Sequence, residues 1–279
     1  MSAVTETPEP VKPLVSWTYR IAAELGQFRG AGSVVARNVR VARHGLVVVL
    51  SGFFEPLFYL LSLGVGIGAL VGKVDYQGTP VGYQQFIAPG LLAVSAMNGA
   101  VADSTFNVFW KLKYARIYDG MLATPLGPRA VAAGEICWAL LRGAGYATAF
   151  LLILLVAGYV QSWWAVLAVP AATLVGLAFA GAGMAATTFM RSWQDFDLVH
   201  LVVLPLLLLS TTFYPLSTYP GGFALLVQLT PLYHGVELER ALVLGAVDPS
   251  VLVHLLYLLA MGTAGLLVAG RRLERLLLS

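Results

Sequence analysis

Long apolar stretches recur along almost the whole chain, and charged or turn-forming residues close each of them. A helix needs about 20 predominantly apolar residues to cross the hydrocarbon core of a membrane. Six windows meet this requirement, at residues 45–71, 84–110, 130–160, 163–190, 198–214 and 251–269. The pattern therefore predicts an all-α integral membrane protein with six transmembrane helices. A short polar turn is expected between the first two windows.

Three other segments complete the predicted organisation. Residues 1–16 lack the basic start and apolar core of a secretory signal, which favours a disordered cytoplasmic tail. Residues 17–44 mix apolar and basic positions, which is typical of an amphipathic helix at the inner membrane interface. Residues 214–249 contain four prolines and only a short apolar run, which predicts short re-entrant external helices between spans five and six. The six-helix transmembrane domain would then be residues 45–279.

The basic residues predict the orientation, because short cytoplasmic loops carry an excess of Lys and Arg. Most of them precede the first window or follow the second, fourth and sixth windows, whereas the opposite side has only Lys73 and Arg240. This distribution places both termini in the cytoplasm, in agreement with an even number of spans.

Composition narrows the function further. The chain is 58% hydrophobic and 11% charged, so no soluble domain of ordinary size remains. The net charge of +3 comes from short basic clusters beside apolar windows, which argues against a nucleic-acid partner. Cys137 is the single cysteine, the four histidines are dispersed, and no G-x-x-x-x-G-K-[ST] motif occurs. We therefore expect no metal site, no cofactor in this chain and no ATP hydrolysis by it.

Ionisable residues in or near the predicted spans are the first functional candidates, because a charge in lipid is costly unless it faces protein or water. The candidates for a translocation path are Glu55, Asn98, Asp103, Glu135 and Arg142. The carboxylates could form a proton relay, or they could make interhelical salt bridges near the inner leaflet. Glu55 precedes a mid-span proline and could also satisfy a backbone group that the proline leaves free.

Two polar loops lie on the predicted cytoplasmic side, at residues 113–129 and 191–197. Either could transmit force from a partner protein or serve only as a connector. On the outer side, His234, Glu237 and Arg240 are spaced three apart and would share a helix face, where a salt bridge is the expected interaction.

Several segments together resemble the permeases of type-2 ABC (ABC-2) exporters, in particular the nodulation lipo-oligosaccharide exporter branch. They are PGLLAVSAMNGAVADSTFN, YDGMLATPLGPR, MRSWQDFD, LPLLLLSTTFYPLSTYP and TPLYHGVELERALVLG, and the resemblance extends from about residue 36 onward. It implies a six-helix permease that dimerises, with an identical or related chain, and docks ATP-binding subunits that hold ATP and magnesium. The implied location is the bacterial plasma membrane.

The resemblance also implies roles for individual residues. ATPase coupling would fall on Tyr114, Arg116, Tyr118, Asp119, Arg191, Trp193 and Asp195. An external gate would fall on Phe213, Tyr214, Pro215 and Pro231. The expected function is that of a non-catalytic permease subunit that exports an amphipathic substrate such as a lipid-linked saccharide or a drug. A stand-alone ion-coupled secondary transporter is the alternative, and a membrane enzyme is a weaker one.

Overall fold

A computed structural model describes residues 30–42 and 46–278. The predicted tail at 1–16 lies outside these residues, as does most of the predicted amphipathic helix. The described part of that helix is α1, Ala31–Ala42, which buries Val34 and Asn38. Val34 packs so closely on Gly134 that a Cβ atom there would lie 2.9 Å from the Ala31 carbonyl oxygen. The glycine thus lets α1 dock on a membrane helix.

Five helices in the described part of the chain are long and apolar enough to cross a membrane. The first comprises α2, Leu46–Gly66, and α3, Gly68–Val71. The second is α4, Tyr83–Ala102, which continues through two π-helical turns, Asp103–Asn107 and Trp110–Tyr114. These two helices correspond to the first two predicted windows.

The loop that follows contains the short helix α5, Ile117–Leu122, and lies on the side predicted to be cytoplasmic. That side is called inner below, and the opposite side is called outer. The remaining three helices come after this loop. They are α6, Pro128–Val156; α7, Ala168–Thr187, which follows a 3₁₀ turn at Trp163–Leu167; and α11, Ser250–Leu278. The apolar pattern predicted all three.

The fifth predicted window does not form a helix of spanning length. Its helix, α8, runs over Phe196–Leu208 and has 13 residues, which corresponds to about 20 Å at 1.5 Å per residue. The hydrocarbon core is about 30 Å thick. The chain leaves helical geometry at Leu209, where φ is −104°, and Thr211 then takes a positive φ of 60°. The Ser210 hydroxyl bonds back to the Leu207 carbonyl oxygen at 3.1 Å.

Between α8 and α11, the expected short helices are present as α9, Gly221–Gln228, and α10, Pro231–Leu244. Proline at its first turn starts α10, and Gly245 with a φ of 84° ends it. Most of α10 is buried in the core against α4, α7 and α11.

A β-hairpin replaces the simple polar turn expected after the first window. Strand β1, Lys73–Tyr76, pairs antiparallel with β2, Thr79–Gly82. Gln77 and Gly78 both have positive φ, as a two-residue hairpin turn requires. The hairpin covers the outer end of α4 and buries three of its own side chains there, those of Val74, Tyr76 and Val81.

Helices α7 and α11 pack through glycines at close range. A Cβ atom on Gly181 would lie 2.8 Å from the Gly262 carbonyl oxygen. Small residues at such positions let membrane helices approach closely, so dispersion contacts can hold them together.

We predict that Gly181→Ala destabilises the protein by about 1–3 kcal/mol, because the added methyl group overpacks the α7–α11 contact. Thermal unfolding in detergent measures the effect. Gly145→Ala is the matched control, since a Cβ atom there meets nothing within 4 Å. Equal melting temperatures for the two variants would contradict the assigned packing.

Candidate functional site

The two predicted inner loops meet in a cluster of aromatic side chains. Tyr114 lies 5.3 Å from Trp193 between ring centroids and stacks on Trp110 at 5.4 Å. Phe106, Phe109 and Phe196 complete what we call the aromatic cluster, with Phe106 and Phe196 only 4.2 Å apart. The cluster therefore joins the inner end of α4 to the 191–197 loop.

Local backbone chemistry shapes both loops. Arg116 adopts a left-handed conformation, with φ of 45°, and so turns the chain from the α4 extension into α5. In the second loop, one carboxylate oxygen of Asp195 accepts hydrogen bonds from the backbone N–H groups of Arg191 (2.6 Å) and Ser192 (3.1 Å). These N–H groups hold the pKa of Asp195 below its ordinary value. Asp195 thus fixes the loop that presents Trp193.

The predicted coupling residues differ in accessibility. Tyr114, Arg116, Asp119, Arg191 and Trp193 are exposed. Tyr118 is only 1% exposed, and burial raises its pKa well above the ordinary value.

Tyr118 is therefore enclosed by this chain, and its predicted part in ATPase coupling stays a prediction that does not involve an exposed ring. Its ring belongs to the core under α5, because the helix turns that face toward α1 and α6. The other predicted residues form an accessible polar rim around the aromatic cluster.

Buried ion pairs tie the inner ends of the helices together. Lys111 at the end of the α4 extension donates to Glu135 of α6 at 2.6 Å, and Asn38 of α1 donates to the same oxygen at 3.1 Å. Asp103 and Arg142 form a second pair between the α4 extension and α6. The salt-bridge interpretation of Asp103, Glu135 and Arg142 is confirmed, and Lys111 and Asn38 are partners that the sequence did not reveal.

Glu55 differs from the other carboxylates because it is exposed on α2. One of its oxygens accepts a hydrogen bond from the Asn98 amide of α4 at 2.9 Å. These two predicted path residues thus lie together on an open face of the chain, whereas the Asp103–Arg142 and Lys111–Glu135 pairs are more enclosed.

Arg240 organises the outer end of the fold. Its guanidinium is fully buried and donates to Glu237 (2.6 Å) and to the backbone carbonyl oxygens of Thr211 (2.8 Å) and Phe86 (3.2 Å). It also lies 3.9 Å from the centroid of the Phe86 ring. Glu237 accepts further bonds from the hydroxyls of Tyr76 and Thr211. One side chain thereby links α10 to α4 and to the turn after α8.

The predicted gate residues are not gathered at one point. Phe213 is partly buried against the outer core, Tyr214 is exposed, and Pro231 starts α10. Pro215 begins a separate 3₁₀ turn. Their role as an external gate stays a prediction.

Two further buried groups were not singled out as site residues from the sequence. His234 faces His254 of α11, with 2.8 Å between their Nδ1 atoms. Glu239 is completely buried, and neither carboxylate oxygen has a hydrogen-bond partner among the described residues. Burial raises the pKa of Glu239 well above its ordinary value, because an apolar environment disfavours the charged form. Residues 30–42 and 46–278 contain no cluster of three metal-binding side chains.

The sequence model of the ABC-2 type transporter family matches residues 31–244, which include every element from α1 to α10. The chain belongs to the ABC-2 type transporter family.

Several relatives within this family match most of the chain. Nodulation protein J of Rhizobium leguminosarum bv. viciae is 32% identical over 212 residues, covering 75% of this chain and 80% of the relative. The protein of the same name from bv. trifolii is 34% identical over 202 residues, covering 72% and 75%. The inner membrane transport permease YadH of Escherichia coli K12 is 29% identical over 193 residues, covering 68% and 73%.

We predict that Arg240→Lys destabilises this ABC-2 protein by about 3–5 kcal/mol, because lysine cannot reach all three acceptors and leaves buried groups unpaired. The melting temperature in detergent reports the loss. Arg275→Lys, at an exposed position near the end of α11, is the control and is expected to melt like the parent. Unchanged stability of Arg240→Lys would contradict the conclusion that Arg240 links α10 to α4 and to the turn after α8.

Glu239→Met is expected to stabilise the protein by about 1–3 kcal/mol at pH 7, because it removes two buried oxygens without partners at little change in shape. The raised pKa means that the parent loses stability as pH rises above the ordinary glutamate value of 4.5, so the gain should shrink as pH falls toward that value.

Unfolding measured in detergent at several pH values tests this expectation. Glu274→Met, at a partly exposed carboxylate paired with Arg129, should change stability by less than about 1 kcal/mol. A loss of stability in Glu239→Met at neutral pH would show that the carboxyl group makes a favourable contact.

Proposed function

We propose that this chain is the permease subunit of an ATP-driven exporter in the bacterial plasma membrane. A separate ATP-binding subunit would hold ATP and magnesium and dock on the exposed rim of the aromatic cluster. A second permease copy, identical or related, would complete the transport path. The cargo would be amphipathic, such as a lipid-linked saccharide or a drug.

The observation that carries this proposal is the contact between the two inner loops through Tyr114 and Trp193. Two separate connectors would have no reason to share a stacked aromatic cluster with an exposed charged rim. Arg116, Asp119 and Arg191 on that rim offer charges of both signs to a protein partner. The printed name of the Escherichia coli relative, an inner membrane transport permease, supports the same function and location.

Rigid connections would carry force from this surface into the membrane. Beneath α5, Tyr118 anchors the loop to the core, and the aromatic cluster anchors the second loop to the α4 extension. A displacement of the docked subunit would therefore move α4 and α6 together, because the Lys111–Glu135 and Asp103–Arg142 pairs join these helices. Such a movement would alternate the access of the path residues Glu55 and Asn98.

A six-span arrangement with both termini in the cytoplasm remains part of the proposal. Helix α8 would enter from the inner side, and the turn after it, with α9 and α10, would form the re-entrant outer part. The basic residues beside the inner loops support this orientation.

The ion-coupled alternative receives no support from the buried carboxylates. Asp103 and Glu135 are neutralised by Arg142 and Lys111, so neither is available as an unpaired proton carrier in this conformation. Only Glu55 of the three predicted relay members lies on an open face.

We predict that Asp119→Arg reduces copurification of an ATP-binding subunit, or substrate-coupled ATPase activity, by about tenfold or more, because an unfavourable charge enters the docking surface. The tagged full-length chain is purified from its native membrane, and the ATPase activity of the complex is measured. Asp119 is preferable to the buried Tyr118, since its replacement leaves the core intact.

The matched control is Asp75→Arg, the same charge reversal on the exposed face of the hairpin. It should retain the partner and the activity. If the parent chain purifies alone and moves substrate on a proton gradient, the ATP-driven function is ruled out.

A further inference from the structure

A cavity of about 700 Å³ separates α8 from the helices behind it. Its walls come from α4, α7, α8 and α11, and Phe196 is the only buried residue of α8. The volume lies within the roughly 300–1,000 Å³ that is typical of small-molecule sites. The chain therefore leaves room for a ligand beside this helix.

The body of the cavity is apolar. Val101, Phe179, Val203 and Leu206 are representative of the lining. The one hydroxyl among the lining side chains, that of Thr105, already donates to the Val101 carbonyl oxygen at 2.7 Å. A saccharide or nucleotide would lose its water contacts here without gaining partners, whereas a hydrocarbon chain would not.

The cavity opens to the surface along its side. Phe189, Leu198 and Val202 line it and are 58%, 62% and 59% exposed. From Asp195 to Leu206 the α8 side of the cavity extends by about 17 Å, close to half of the roughly 30 Å hydrocarbon core. A ligand could thus enter sideways and occupy the depth of one leaflet.

The charged end lies at the side predicted to be cytoplasmic. Arg191 lines the cavity there and forms no salt bridge with any residue of the described chain. The nearby Asp195 carboxylate is held by backbone N–H groups. Behind the wall, the Arg272 guanidinium lies 3.9 Å from the centroid of the Phe189 ring. The opening therefore combines an apolar slot with the guanidinium of Arg191, which lies close enough to the Asp195 carboxylate to interact with it electrostatically.

We propose that this cavity binds an acyl chain of an anionic phospholipid from the inner leaflet, with the lipid phosphate at Arg191. The inner leaflet is rich in anionic lipid, and a single Lys or Arg at the surface attracts it measurably. The bound chain would fill the space between α8 and the core and so stabilise the position of α8. The cavity adjoins the proposed ATPase docking surface, because Arg191 belongs to both, but lipid binding here does not depend on ATP hydrolysis or on export.

The test uses the full-length chain in vesicles that contain phosphatidylglycerol or phosphatidylcholine with a photoreactive acyl chain. Crosslinked peptides are mapped by mass spectrometry. We expect labelling to concentrate on residues 179–206, with phosphatidylglycerol labelling about fivefold above phosphatidylcholine, the effect of one arginine at the surface. Equal labelling by the two lipids, or labelling spread evenly over the outer faces of all helices, would overturn the proposal.

Two variants with matched controls locate the site. Ala186→Trp fills the cavity and should abolish the concentrated labelling, whereas Leu201→Trp, at an exposed α8 position outside the lining, should not. Arg191→Gln should remove the preference for phosphatidylglycerol, whereas Arg271→Gln, at an exposed position on α11, should keep it.

Persistence of the labelling in Ala186→Trp, or of the preference in Arg191→Gln, contradicts the assignment. Arg191 is a surface residue, so its variant tests the site even if Ala186→Trp fails to fold. A lipid that leaves the site during ATP turnover would be cargo, and the structural-lipid proposal would then be wrong.

Discussion

The pairing of buried charges is the constraint on which the rest of this fold depends. A chain that is 58% hydrophobic can keep ions inside only where each finds a partner, because an unpaired ion in apolar surroundings is very costly. Lys111–Glu135 and Asp103–Arg142 both join the α4 extension to α6, and Arg240 joins α10 to α4. These bonds fix how far each helix is displaced along its neighbour, which apolar contacts alone specify poorly.

Helix α8 shows what happens where such ties are missing. Its described contacts are mainly the aromatic packing of Phe196 at the inner end, and at the outer end the Leu208 carbonyl oxygen accepts a bond from the Tyr219 hydroxyl at 3.4 Å. Between these points Val203, Leu206 and Leu207 pack against the core, and the cavity lies beside them. On the opposite face of α8, Leu201 and Leu204 are more than half exposed in the single protomer.

The sequence was informative where the structure depends on whether a residue is apolar or charged and on its spacing along a helix. Apolar windows located the five spanning helices, and the spacing of Glu237 and Arg240 predicted their salt bridge. The sequence was uninformative where the structure depends on a local backbone turn or on a contact with a residue far away in the chain. The apolar composition of the fifth window does not show that α8 ends before the turn at Thr211. The residues near Tyr118 in the sequence do not show that its ring is buried.

Glu135 and Glu239 are two further residues whose contacts the sequence does not reveal. Glu135 has Lys111 and Asn38 as partners, while the buried carboxylate of Glu239 has none among the described residues. Only the fold distinguishes them.

Helix α4 with its extension contacts both the aromatic cluster and the Arg240 network. Phe109 belongs to the aromatic cluster, and the backbone carbonyl oxygen of Phe86 accepts a bond from Arg240. Its π-helical turn at Asp103–Asn107 lies between them, and such turns are frequent at functional sites. A displacement of the aromatic cluster would therefore reach the Arg240 network only through this turn. Otherwise a change in the conformation of the turn itself would take up the displacement.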